Sequence, residues 1–369
     1  MAVGGIAGAG RFLSYPQPDF GRRDLFDLYV DSSVPIVELN RRVGEYVASV
    51  TGAEAGMITC GAAAGIVLAT AACMTGTDAG LMSRLPDSAG MKNEIVTQVA
   101  HMGGYVHNHT TAGAALVPVG TTTSCSSDKL RHAITPRTAA VAFLIGPGVY
   151  QSVLSLPEVA AIAHDEGVPV IVDAAAMVPP RDNFHRIIRE GADLVTVSGG
   201  KCIRGPQATG LLFGRRDLVE AALLNASPHD RIGRPLKVAR EEIIGLATAL
   251  QLFMETDEEA EFARETETAR LIADSLADIP GIRTSVEDAD FSCIPPGWYY
   301  RLEPYALLRF ERNRPGRSPS EVSAALAAGD PPIYAPRDRL TNGIPLNPFN
   351  LLDDEVDTLL RRVREELTA

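Results

Sequence analysis

The sequence has few cysteines, no long apolar run and no basic cluster, and each shortage removes a class of answer. Its five cysteines, Cys60, Cys73, Cys125, Cys202 and Cys293, are scattered without a CxxC pair. An odd, unspaced set gives neither a disulfide framework nor a metal site, and it suits a reducing cytoplasm. No stretch stays apolar and uncharged long enough to span a bilayer. The small, glycine-rich start, MAVGGIAGAGRFLSYPQPDF, lacks the basic flank and apolar centre of a signal peptide. Residues 1–40 are therefore expected to form an N-terminal arm. Formal net charge is −12, without a Lys/Arg cluster to neutralise phosphates, which argues against nucleic-acid binding as the main task.

Two nucleotide-binding signatures are missing as well. Gly5, Gly8 and Gly10 lack the GxGxxG spacing, and no strand precedes them. The SGGK ending at Lys201 is no P-loop: Val195 stands where the first glycine belongs, and Cys202 replaces the Ser/Thr. The pair His107 and His109 has no carboxylate or third histidine at ligand spacing, so no metal is expected.

What is present is an ordinary globular composition, 46% hydrophobic and 22% charged over 369 residues. That is enough chain for one large domain and a smaller one. From residue 41 to 255 helical patterns alternate with short apolar runs at Glu94–Val96, Ala115–Val119, Ala139–Ile145, Val168–Val172, Asp193–Val197 and Gly210–Phe213. Strands this apolar, separated by helices, predict an α/β domain with a mainly parallel sheet sandwiched by helices. Near Thr256 the composition turns to a charged helix. Candidate strands at Trp298–Leu302 and Ala306–Glu311 follow, with helices at Ser320–Ala328 and Asp353–Leu367. Residues 256–369 thus read as a smaller α+β domain.

The chemistry concentrates at strand ends. VPVIVDAAAM ends a buried strand on Asp173, and ADLVTVSGGK ends another and turns through Ser198, Gly199 and Gly200 into Lys201. Ligands of open α/β sheets sit beyond such carboxyl ends. A pyridoxal 5'-phosphate (PLP) enzyme needs an amine for a Schiff base and an acid to keep the pyridine nitrogen protonated. Lys201 and Asp173 supply both. Cys60-Gly61-Ala62-Ala63-Ala64 opens a buried helix whose first amides would face a phosphate dianion, and small side chains permit close approach. Ser198 adds a hydroxyl. His101 follows the strand-like NEIVTQ, where an imidazole can stack on a pyridine face and carry a proton.

Taken together, Val34 to about Leu252 resembles the large domain of fold-type I PLP enzymes. Within that group it is most similar to the branch around L-seryl-tRNA(Sec) selenium transferase (selenocysteine synthase) and its shorter relatives, which include D-glucosaminate-6-phosphate ammonia-lyase. The carrying segments are NRRVGEYVASVTGAE, ITCGAAAGIVLATAAC, VPVIVDAAAMVPP, GADLVTVSGGKCIRGPQATGLLFG and GRPLKVAREEIIGLATAL. GDPPIYAPRDRL is similar to the small-domain segment of the branch. The resemblance implies that Lys201 binds PLP covalently and that Asp173 pairs with the ring nitrogen. It places His101 where cysteine desulfurases carry a ring-stacking histidine, and Arg337 where the branch has an arginine suited to a substrate carboxylate. Ala176 departs from the pattern, because desulfurase-like enzymes place a polar contact to the ring hydroxyl there.

Selenium transferases carry an extra N-terminal module for tRNA, whereas here only the arm precedes the matching region. An amino acid or amino sugar acid is the expected substrate. Burial and the cofactor would lower the lysine pKa by ~3–5 units, freeing Lys201 as the Cα base. Loss of a β-substituent then gives an α,β-eliminating ammonia-lyase, the favoured outcome. Reprotonation on the opposite face, by His101 or a neighbour, gives a racemase or epimerase. Aminotransferase comes third and a non-catalytic PLP-binding protein last. A cytoplasmic homodimer or higher homo-oligomer is expected, with the side-chain pocket shaped by Pro228–Arg234 and Phe291–Trp298.

Overall fold

The computed structural model describes residues 34–146, 153–288, 303–338 and 341–369. Residues 1–33, Pro147, Gly148, Cys293, the strand expected at Trp298–Leu302 and the Phe291–Trp298 loop lie outside the described residues. The chain divides into two compact units at Glu255/Thr256.

The large unit runs α1 (Ile36–Thr51), β1 (Ala55–Thr59), α2 (Gly61–Thr75), α3 (Ala79–Arg84), β2 (Glu94–Gln98), α4 (His107–Thr111), β3 (Ala115–Val119), α5 (Ser127–Ala133) and β4 (Thr138–Leu144). It continues through α6 (Leu156–Asp165), β5 (Val170–Asp173), α7 (Asn183–Arg189), β6 (Leu194–Ser198), β7 (Gly210–Gly214), α8 (Arg216–Asn225) and α9 (Arg240–Glu255). Since α1 starts at Ile36, this unit takes in residues expected to belong to the arm.

Leu39, Val43 and Val47 recur one turn apart and form the fully buried stripe of α1, while Glu38 pairs with Arg41 and Arg42 on its outer face. The helix stops at Gly52, whose φ of 70° few side chains tolerate. Asn40 ties α1 to β1 in both directions: its amide donates to the Ile58 carbonyl at 2.9 Å, and its carbonyl accepts from the Ile58 N–H at 2.8 Å.

The seven strands pair in the order β1-β7-β6-β5-β4-β2-β3. Five of them, β3-β2-β4-β5-β6, are parallel, and β7 runs antiparallel between β6 and β1. The sheet is therefore mixed, and its central strands are buried along their length, as strands covered on both faces must be. α2 is apolar nearly all round and buried accordingly.

The small unit packs α10 (Glu258–Ser275), α11 (Pro319–Ala328) and α12 (Val356–Thr368) with an antiparallel sheet of β8 (Ile282–Asp288), β9 (Pro304–Phe310) and β10 (Gly343–Leu346) in the order β10-β9-β8. Its own core includes Ile272, Leu276, Leu308, Val322, Leu326 and Val363. Among the described residues no helix is long and apolar enough to cross a membrane.

Candidate active site

Strand register decides which side chains share an edge. In β5 and β6 Asp173 stands opposite Thr196, so β6 runs two residues further, to Ser198. Ser198 pairs with Gly210 of β7, and Gly210 pairs with Thr59 of β1. Because β7 is reversed, its amino end meets the carboxyl ends of β1 and β6, and β5 ends beside β6 on the same edge. One edge thus carries Asp173, Ser198 and the start of α2.

α2 is clamped onto that edge. Thr59 Oγ1 donates to the Gly61 carbonyl at 2.9 Å, and Thr196 Oγ1 donates to the Ala62 carbonyl at 3.1 Å. A Cβ at Gly210 would lie 2.5 Å from the Gly61 carbonyl carbon and 2.6 Å from the Ala62 nitrogen. Neither backbone atom can yield cheaply. Gly210→Ala is therefore expected to cost about 1–3 kcal/mol of stability by overpacking and to disturb the first turn of α2. Denaturant unfolding together with PLP titration checks both effects.

The N-terminus of α2 is well placed to receive an anion. Cys60 at the N-cap makes no side-chain cap, and space in front of Gly61 is open: a Cβ there would meet no atom within 4 Å. Ala62, Ala63 and Ala64 complete a first turn without bulk. The residues present thus fit a phosphate group held by backbone amides.

Lys201 lies in the turn after β6. The Gly199 N–H donates to the Thr209 carbonyl at 2.9 Å and the Gly205 N–H to the Gly199 carbonyl at 2.8 Å, closing the turn on itself. Side chains at 199 or 200 would collide with Thr209 or with the Gln207 backbone. Lys201 itself is exposed, not buried as expected. Its charge still reaches Asp173. Burial pushes the Asp173 carboxyl above the usual carboxylate range, and the Ala175 N–H at 3.1 Å and the Lys201 ammonium offset part of that rise. A carboxylate short of compensation at a strand end is suited to pair with a ring N–H.

His101 ends a short 3-10 turn after β2 and is 4% exposed. Its ring meets Phe143 edge-on at 4.3 Å, and its Nδ1 accepts from the Leu144 N–H at 3.3 Å. It lines one cavity with Asp173, Thr97, Ile66, Tyr105 and His109. His109, absent from the expected site, is 5% exposed and bonded through Nδ1 to Thr70 at 2.7 Å. The sequence signal for it was the HxH pair, read there only as a metal motif. Among the described residues no group of His, Cys, Asp and Glu is arranged to hold a metal ion.

Burial lowers both histidines from 6.5 to about 4. Between those values each ring is neutral when folded and protonated when unfolded, so stability falls as pH drops through the window. The apoprotein is expected to lose up to about 3 kcal/mol per ring between pH 6.5 and 4. Melting curves across that range should flatten in His101→Phe and His109→Phe.

Arg337 belongs to the small unit. It is exposed and rests on Ser320 Oγ at 3.4 Å and Asn342 Oδ1 at 2.9 Å.

The sequence profile of L-seryl-tRNA selenium transferases matches residues 37–283, two thirds of the chain and all the segments that build this site. The chain belongs to the L-seryl-tRNA selenium transferase family. It is 33% identical to a 5'-C-glycyluridine monooxygenase-decarboxylase from Streptomyces over 90% of this chain and 82% of that protein. To a D-glucosaminate-6-phosphate ammonia lyase from Salmonella typhimurium it is 30% identical, over 90% of this chain and 86% of the relative. The solved structure of a D-glucosaminate-6-phosphate ammonia-lyase superposes with a TM-score of 0.80 at 27% identity, covering 94% of this chain and 90% of that one. The fold also matches the PLP-dependent protein YhfS of Escherichia coli at a TM-score of 0.55 and 14% identity, covering 89% and 86%. The family and its fold neighbours are PLP-dependent enzymes, lyases and transferases among them, with the fold-type I architecture.

Proposed function

We propose that this chain is a PLP-dependent lyase that removes the Cα proton of an amino acid or amino sugar acid and expels a β-substituent. The observation that carries the reading is that Asp173, within reach of the Lys201 charge, stands at the edge where α2 presents an uncapped N-terminus. PLP, when bound, supplies an electron sink for the pair released at the substrate Cα.

The protein residues divide the remaining work. The amides of Gly61, Ala62, Ala63 and Ala64 hold the phosphate, and the Ser198 hydroxyl adds to them. Asp173 accepts a hydrogen bond from the ring nitrogen and keeps its proton in place. His101, held neutral with Nδ1 as an acceptor, carries its own proton on Nε2 and offers a flat face to the ring. Lys201 would hold the cofactor and, as an amine, would take the substrate Cα proton. Being exposed, Lys201 stays open to substrate from the solvent side. The acidic charge supports a small-molecule substrate, and the scattered cysteines, with no CxxC, support a reducing, cytoplasmic setting.

A second reading has its own support. The 33% identity to a monooxygenase-decarboxylase favours loss of CO2 from the substrate with O2 as the oxidant.

Incubating the PLP-loaded protein with amino acids and amino sugar acids in D2O separates the outcomes. Keto acid and ammonia are expected. Oxygen uptake with CO2 release would move the assignment to the second reading, and Cα deuteration with racemised substrate would move it to a racemase. A protein that takes up no PLP overturns the proposal.

A further inference from the structure

Thr70 has one hydroxyl proton, and the structure shows where it goes. Oγ1 donates to the Ile66 carbonyl, one turn back on α2, at 2.7 Å. The 2.7 Å contact between Thr70 Oγ1 and His109 Nδ1 must then be donated by the ring. His109 is fixed as the Nδ1–H tautomer, the opposite of His101, whose Nδ1 accepts from Leu144. Thr70 is fully buried and His109 nearly so, so the bond is shielded from competing water.

This bond joins two parts of the site. Thr70 and Ile66 lie on α2, the helix whose first turn is the one proposed to hold the phosphate, and Ile66 also lines the cavity shared by His101 and Asp173. His109 lies on α4, which continues the segment carrying His101. Between the two histidines the backbone is a run of tight turns: Gly103 N–H to the His101 carbonyl at 2.8 Å, Val106 N–H to Gly103 at 3.2 Å, and His109 N–H to Val106 at 3.2 Å. These turns tie His109 to His101 along the backbone.

We propose that the Thr70–His109 hydrogen bond is a latch that docks the His101 segment on α2 and so sets where the His101 ring stands over the cofactor. His109 is a positioning residue, and its role rests on the PLP reading given above. Thr70 matters for its acceptor, His109 for its donor.

The test uses the full-length, PLP-loaded protein, read by its visible absorbance band, PLP affinity and kcat. His109→Leu and Thr70→Val are expected to displace the band and weaken PLP binding about tenfold, the scale of one lost buried hydrogen bond. Thr70→Ser keeps the hydroxyl, and His109→Asn puts an amide N–H near the position of Nδ1. Both are expected to restore band and affinity. In a His101→Ala background, His109→Leu should add no further displacement, because the latch acts through His101. A lower melting temperature with unchanged band and affinity in His109→Leu would show a packing role only and overturn the latch. So would a folded His109→Asn protein that restores nothing, or an additive displacement in the His101→Ala background. Wild-type protein that binds no PLP fails the underlying reading instead, a result distinct from all of these.

Discussion

Lys201→Ala protein is expected to bind PLP without a covalent link and to lose about four orders of magnitude or more in turnover. The size follows from the two jobs assigned to one amine, cofactor anchor and Cα base. Groups that act as a unit are lost together when the reacting member is removed. The fold should survive. Lys201 is exposed and sits in a turn closed by backbone bonds among Gly199, Gly205 and Thr209, so its side chain supports nothing behind it. Mass spectrometry after borohydride reduction gives the direct readout: a pyridoxyl label on the Lys201 peptide of wild type, and none on the variant. A labelled variant, or one with wild-type turnover, would overturn the assignment of Lys201.

Asp173→Asn is expected to lower turnover by about 100- to 10,000-fold, the range that a positioned acid or base contributes. Here the substitution separates charge from shape. Oδ1 of Asp173 accepts from the Ala175 N–H, and an asparagine carbonyl can keep that bond. What disappears is the negative charge proposed to hold a proton on the ring nitrogen. The native carboxyl is already pushed toward its neutral form by burial, with only the Ala175 amide and the Lys201 charge opposing. The variant should therefore fold and retain PLP while reaction slows. Equal kcat in the two proteins would refute the role.

These two residues were legible in the sequence because their signals are local. An apolar run that ends on an acid marks a strand end, and SGGK after another run marks a turn that only small residues can make. The helix at Gly61 was equally plain, since GAAAGIVLATAAC has no polar face. β8 and β10 were not picked out, and the charged helix near Thr256 gave no hint of the antiparallel sheet that follows it. Their apolar positions are few, and what makes them strands is pairing with β9. The favoured lyase outcome came from resemblance rather than spacing. Oxidative decarboxylation, suggested by a relative's activity, was not among the outcomes weighed from the residues.

The site shows the same division. His101 stands out for its place after a strand, but its neutrality comes from burial, and its ring is held by the Leu144 amide 43 residues away. The HxH pair gives His109 no role in the sequence, where no metal is expected of it; its partner Thr70 lies 39 residues away. Lys201 was expected to be buried, and the chain leaves it exposed.

The sequence by itself determined the family, the strand ends bearing Asp173 and Lys201, and the small-residue helix start, because period, turn chemistry and side-chain size act over a few neighbours. Only the tertiary structure decided that reversed β7 seats Gly210 against Gly61–Ala62, which tautomer each histidine holds, and that burial pushes the Asp173 carboxyl toward neutral. Those depend on which lone pairs, amides and walls of the cavity meet across the fold, and desolvation is set by atoms that sequence distance does not reveal.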